Sequence, residues 1–197
     1  MSKSVLYEQD DRIVKITLNR PDTRNALSGD IIEGLVEYIQ KADKDKNVGC
    51  VILTGAGKSF SSGGNLQEIK DMTTKDQMTQ AQLEDWYRFG IQKIPVTMNS
   101  IDVPVVAAVN GHAIGAGNDL CTMCDIRIAG EDAKFSESFL RIGIIPGDGG
   151  SWFLPKIIGL ARANEMILTC DVLDANKALD WGLSLIHISE PTRRDPI

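Results

Sequence analysis

Between Leu6 and Asn19 apolar and polar residues alternate on both sides of Asp10-Asp11, with Val14, Ile16 and Leu18 on one face and Ile13, Lys15 and Thr17 on the other. That period of two predicts a β-hairpin. From Ser28, a candidate N-cap, the period lengthens: Ile31, Ile32, Leu35, Val36, Ile39 and Ala42 fall on one stripe of an amphipathic helix. Val48 to Thr54, Val103 to Val109 and Asp125 to Ala129 are short apolar runs bounded by turn residues, and they read as buried strands. The first two run into glycine-rich loops, Gly55 to Gly64 and Asn110 to Gly117, and a third such turn spans Gly143 to Gly150. A polar helix is expected over Lys75 to Lys93 and another helix from about Asn118. Three more are expected at Trp152 to Ile157, Arg162 to Thr169 and Ala175 to Trp181. The strand, glycine loop, helix unit thus recurs at residues 48 to 70 and 103 to 124, which is α/β architecture with ligands expected near the carboxyl ends of the strands.

Composition narrows the function class. The 197 residues are 43% hydrophobic and 24% charged, which suits one globular domain with an appendage and excludes disorder, collagen and coiled coil. A net charge of -6 argues against a nucleic-acid or membrane-surface partner, and no apolar run reaches membrane-spanning length. The start lacks an apolar leader region, and the four scattered cysteines do not read as a disulfide framework. A reducing, cytoplasmic location is therefore expected. Cys121 and Cys124 form a C-x-x-C with no second pair, which reads as packing on one helix face rather than zinc or redox chemistry. His112, among apolar neighbours, reads as a structural loop residue, and no histidine-based metal site or triad is expected.

Gly57-Lys58-Ser59 resembles the end of a phosphate loop, but the glycine required five positions before Gly57 is Ile52. Neither glycine loop carries the dinucleotide pattern either. What the loops do offer is backbone: glycine turns that open helices let N–H groups approach a ligand closely, and two converging turns would make an oxyanion hole. The alternative is that the glycines simply allow tight strand-to-helix packing.

The strings LNRPDTRNAL (18–27), KSFSSGGNL (58–66), AVNGHAIGAGNDL (108–120), CDIRIA (124–129) and GIIPGDGG (143–150) occur in this order. Together they resemble the crotonase superfamily, the enoyl-CoA hydratases and isomerases, from about residue 5 to Gly182. The resemblance implies a spiral of repeated ββα units and a site for an acyl-CoA thioester, with coenzyme A as part of the substrate and no separate cofactor or metal. It implies oxyanion-hole N–H groups on Gly64 and Ala116, and CoA or substrate contacts at Arg24, Ser62, Asn65, Leu66 and Phe139. Arg24 either meets a CoA phosphate or is a solvated loop arginine.

Hydratases of the family use two glutamates. By motif position the first is Asp119 here and the second is Phe139, so paired-carboxylate hydration is not what this pattern supports. Asp148 is the substitute candidate, as a catalytic acid/base or as a turn cap. Glu137 is a third candidate, against the reading of a solvated surface residue. A buried Asp119 facing the acyl chain is expected to titrate high, as proton transfer near neutral pH requires. The functional expectation is hydration of a 2-enoyl-CoA or a double-bond shift through an enolate, with an acyl-CoA hydrolase or a non-catalytic acyl-CoA binding subunit as alternatives.

From Ser184 the text SLIHISEPTRRDPI resembles translated sequencing adapter. It is set aside from the fold, and His187 carries no functional weight. The expected core domain is therefore 1–183. The helical C-terminal segment that mediates the trimer or hexamer contacts of the family is expected to lie beyond this chain.

Overall fold

The computed structural model describes residues 4–188. β1 (Val5–Asp10) and β2 (Ile13–Leu18) form the hairpin, turning through Asp11 at a φ of 48°. α1 (Gly29–Lys44) follows and buries Ile31, Ile32, Leu35, Ile39 and Ala42, the stripe its sequence marks. Ser28 holds the N-cap position by its backbone, while its side-chain hydroxyl donates to Asp30 rather than capping the helix. β3 (Cys50–Gly55), β4 (Ser59–Ser61) and α2 (Leu66–Thr74) make one ββα unit. Two helices intervene, α3 (Gln80–Phe89) and α4 (Lys93–Met98), before β5 (Val105–Val109), β6 (His112–Ile114) and α5 (Ala116–Thr122) repeat the unit. β7 (Ile126–Gly130) and β8 (Lys134–Ser136) lead through a 3-10 turn at Phe139–Ile142 to α6 (Gly150–Ile158) and α7 (Leu160–Thr169). The described chain closes with β9 (Leu173–Asp174), α8 (Ala175–Trp181) and β10 (Ile186–Ile188).

Two sheets result. The larger runs β1-β2-β3-β5-β7-β10 and is parallel from β2 onward; the smaller runs β4-β6-β8-β9. Each unit gives its first strand to the larger sheet and its second to the smaller, the spiral of ββα units that the motif resemblance implies. In the larger sheet Ile16 pairs with Leu53 and Leu53 with Ala107, and all three are fully buried. The next residue on that row is Arg127, whose guanidinium is held inside by the carbonyls of Leu183 (2.7 Å) and Cys124 (2.6 Å). Those two acceptors offset the cost of burying the cation.

Several elements differ from the sequence reading. The two glycine loops are not wholly loop, because each contains a three-residue strand, β4 and β6, and β6 carries His112. His112 is exposed, not packed in a loop, and with Arg24 and Lys58 it lines a depression of about 530 Å³. The polar helix expected at Lys75 to Lys93 is the shorter α3. It begins where Thr79 and Gln82 cap it reciprocally and stops at Gly90; before it lies α2, the helix that closes the unit read at residues 48 to 70, and after it α4, which the sequence reading did not separate. The larger sheet also continues past Leu183. Ser184 is buried, its hydroxyl donating to Arg127 O at 3.3 Å, and β10 pairs in parallel with β7. The tail's remaining residues, 189–197, lie outside the described residues. Cys121 and Cys124 are both buried, and burial pushes the Cys121 thiol well up and that of Cys124 up to about 12.

Candidate active site

The ends of β4 and β6 bring the two glycine loops together. Gly63 has a φ of +87°, and a Cβ there would overlap the Ile114 carbonyl and lie 3.2 Å from the Ala116 nitrogen. Only glycine lets the two turns approach so closely. Asn25 holds the first loop from beneath, donating from its amide to the carbonyls of Ala56 (3.0 Å), Ser59 (2.8 Å) and Phe60 (3.2 Å). The Leu27 N–H donates to Gly63 O at 2.8 Å. Among the described residues no backbone acceptor takes the N–H of Gly64 or of Ala116, the latter being the first residue of α5.

Both N–H groups belong to the wall of a cavity of about 310 Å³. Its other walls come from Ser62 and Leu66, from Trp86 and Tyr87 on α3, from Phe139, Arg141 and Ile142 on the 3-10 turn, and from Asp148. The lining is mostly apolar, with Asp148 its one carboxyl among the described residues. A shallower depression of about 340 Å³ shares Ser62, Gly64 and Leu66 with this cavity and leads outward past Asn65 to Arg24. Arg24 sits at a φ of 55° with no described carboxylate in ion-pair range, whereas Asn65 has its side chain committed. It caps α2, accepting from the N–H of Gln67 and Glu68 and donating to Glu68 Oε1 at 2.7 Å.

Asp119 does not reach the cavity. It is fully buried on α5 behind Asp148, with its carboxyl packed so tightly against the Cα of Gly150 that no side chain could stand there. Glu137, a third candidate weighed against the reading of a solvated surface residue, is also fully buried. Its side chain points inward from the segment after β8, and Asn118 Nδ2 donates to its Oε1 at 2.6 Å. Asp119 makes side-chain contact with both Glu137 and Asp148, so three carboxyls meet, and among the described residues no cation acts on them. Burial, reinforced by the other two charges, raises Asp119 well above the usual carboxylate range. Desolvation likewise raises Asp148 and lifts Glu137 to about 7. Burial, and then the charge of Asp148, raises the Tyr87 phenol. Three charges cannot coexist here at neutral pH; protons must be kept.

The structure thus gathers Gly64, Ala116, Ser62, Leu66, Phe139 and Asp148 on one cavity. It sets Arg24 and Asn65 at the outer end of the adjoining depression and Asp119 in the layer behind. Trp86, Tyr87 and Arg141 were not legible as site residues. The first two lie on a helix that reads as polar, and Arg141, whose Nη2 donates to Cys170 O at 2.7 Å, lies on a turn with no periodic signal.

Residues 8–190 match the family model described as enoyl-CoA hydratase/isomerase. The chain belongs to the enoyl-CoA hydratase/isomerase family. It is 36% identical over 183 residues to the short-chain-enoyl-CoA hydratase of Clostridium acetobutylicum, a match that covers 91% of this chain and 67% of that protein. With the mitochondrial enoyl-CoA hydratase of Pongo abelii it shares 38% over 168 residues, 85% of this chain and 55% of that one. Among solved structures, the enoyl-CoA hydratase of Bacillus anthracis superposes with a TM-score of 0.83 at 35% identity, covering 94% of this chain and 70% of that chain. The chain therefore spans from just over half to two thirds of the length of these curated relatives. Within this enoyl-CoA hydratase/isomerase fold, no helix among the described residues is long and apolar enough to cross a membrane, and no described cluster of His, Cys, Asp and Glu could hold a metal.

Proposed function

We propose that the cavity takes the acyl end of a CoA thioester, and that the site shifts a double bond between the 3-enoyl and 2-enoyl positions, with Asp148 as acid/base. The observation that carries this reading is that Asp148 is, among the described residues, the one carboxyl lining a cavity whose second motif position is the apolar Phe139. Hydration needs groups to orient a water and to move its protons; a double-bond shift needs one group that takes a proton and gives it back. The Asp148 carboxylate removes a proton from C2 of the 3-enoyl thioester. The electron pair passes onto the thioester oxygen as a dienolate, and the Asp148 carboxyl then returns the proton to C4. No proton is gained or lost overall.

The N–H groups of Gly64 and Ala116 hold that oxygen in this reading as its charge develops, supported by their lack of a backbone acceptor among the described residues, and each such donor is typically worth about 3 kcal/mol. Ser62, Leu66 and the outer depression carry the pantetheine toward Arg24, whose guanidinium can pair with CoA phosphate. Assembly into trimers or hexamers and a cytoplasmic location belong to the same proposal.

Incubation with but-3-enoyl-CoA deuterated at C2 should give but-2-enoyl-CoA carrying deuterium at C4. Asp148→Asn should lower that rate by roughly 100-fold or more. A product dominated by 3-hydroxybutyryl-CoA, or undiminished turnover in Asp148→Asn, refutes the reading.

A further inference from the structure

We infer that Glu137 is a positioning residue for Asp148, acting through Asp119 to direct the buried hydrogen bonds so that the negative charge of the three-carboxyl cluster rests on the cavity-facing member. The inference rests on the acid/base reading of Asp148 and goes beyond it to a residue that never touches the cavity. Its basis is an accounting of donors. Neither Asp119 oxygen, nor Glu137 Oε2, nor Asp148 Oδ1 meets a donor from any neutral or cationic group among the described residues, yet all four atoms are buried. Among the described residues, the protons in reach of these atoms are the carboxyl protons. Asn118 occupies Glu137 Oε1, so the Glu137 proton sits on Oε2. When Asp119 alone is protonated it faces two acceptors, Glu137 and Asp148; once Glu137 holds a proton as well, that proton can fill one Asp119 oxygen and leave Asp119 to donate from the other, to Asp148. Two protons and one negative charge then satisfy the cluster, and the charge lies where the substrate is.

Without the Glu137 proton the order is lost. A second charge appears, and the single Asp119 proton is contested between Glu137 and Asp148. The groups facing the cluster are Asp119, Asn118 and Cys121 on α5, Asp148 before α6, and Tyr87 on α3 beside Asp148; Arg127 on β7 lies behind Cys121, and among the described residues no cation acts on the three carboxyls themselves. Because Glu137 is lifted to about 7, its loss of a proton should appear as an alkaline decline in kcat/KM.

The test is the pH profile of but-3-enoyl-CoA isomerisation in Glu137→Gln and Glu137→Leu. The amide of Gln can accept from Asn118 and donate to Asp119 at every pH, so Glu137→Gln should keep turnover and lose the alkaline decline. Glu137→Leu supplies no donor and should lower kcat at least 10-fold with KM little changed. A wild-type alkaline limb in Glu137→Gln, or wild-type kcat in Glu137→Leu, overturns the inference. Should both variants fail to fold, carbon-13 NMR of the carboxyls in the unaltered chain decides: a Glu137 titration near 7 supports the inference, and one below 5 overturns it. A dead Asp148→Asn beside an unaltered Glu137→Gln profile removes only this inference, whereas an active Asp148→Asn removes the reading beneath it.

Discussion

Raising the pH from 5 to 8 should destabilise this protein, and the buried carboxyls set the size of the effect. Glu137 moves from an ordinary 4.5 to about 7 on folding, mainly through desolvation. Between those values the unfolded chain has released a proton that the native state still holds, so stability falls as pH rises through the window. Below 4.5 both states are protonated and the effect vanishes; above about 7 it is complete. Each pH unit of difference is worth about 1.4 kcal/mol, so this residue alone accounts for about 3 kcal/mol. Asp119 and Asp148 are raised by the same burial and act in the same direction. With a urea dependence of about 2 kcal/mol/M, the Glu137 contribution is a fall of roughly 1.5 M in the unfolding midpoint. Urea melts followed by circular dichroism at pH 5 and pH 8 measure it directly. Glu137→Gln, which cannot ionise, should show a difference smaller by about that amount. A wild-type midpoint that is flat or rises over this range would refute the claim that the three carboxyls are buried together.

Other consequences are as specific. Arg24→Ala should raise KM for a CoA ester roughly 5- to 30-fold with kcat nearly unchanged, because the contact it removes is made equally in the ground and transition states; initial-rate kinetics separate the two constants. Gly63→Ala drives a methyl into the Ile114 carbonyl at a φ of +87° and should cost about 1–3 kcal/mol of stability and most of the turnover, read by thermal melts and the isomerisation assay. Leu154→Ala empties a fully buried position on α6 and should lower stability by about 2–5 kcal/mol in urea melts, with KM unaffected in whatever fraction stays folded.

The hairpin, α1, the central parallel strands and the last three helices were legible in the sequence because each is long enough for a period of two or of 3.6 to show. β4, β6 and β8 were not: three residues carry no period, and they become strands only when neighbouring units stack and pair them. The motif strings determined by themselves the family, the converging glycine loops and the candidates Gly64, Ala116 and Asp148. Glu137 shows the limit of that reading. On sequence it is a charged residue in a polar stretch, where exposure is the ordinary outcome, and only the packing of α5 and the turn before α6 against it encloses its side chain. Whether Asp119 or Asp148 faces the cavity was likewise decided by tertiary structure. Sequence spacing fixes the face of a helix on which a carboxyl lies, whereas solvation, and with it proton affinity, depends on what other parts of the chain bring against that face.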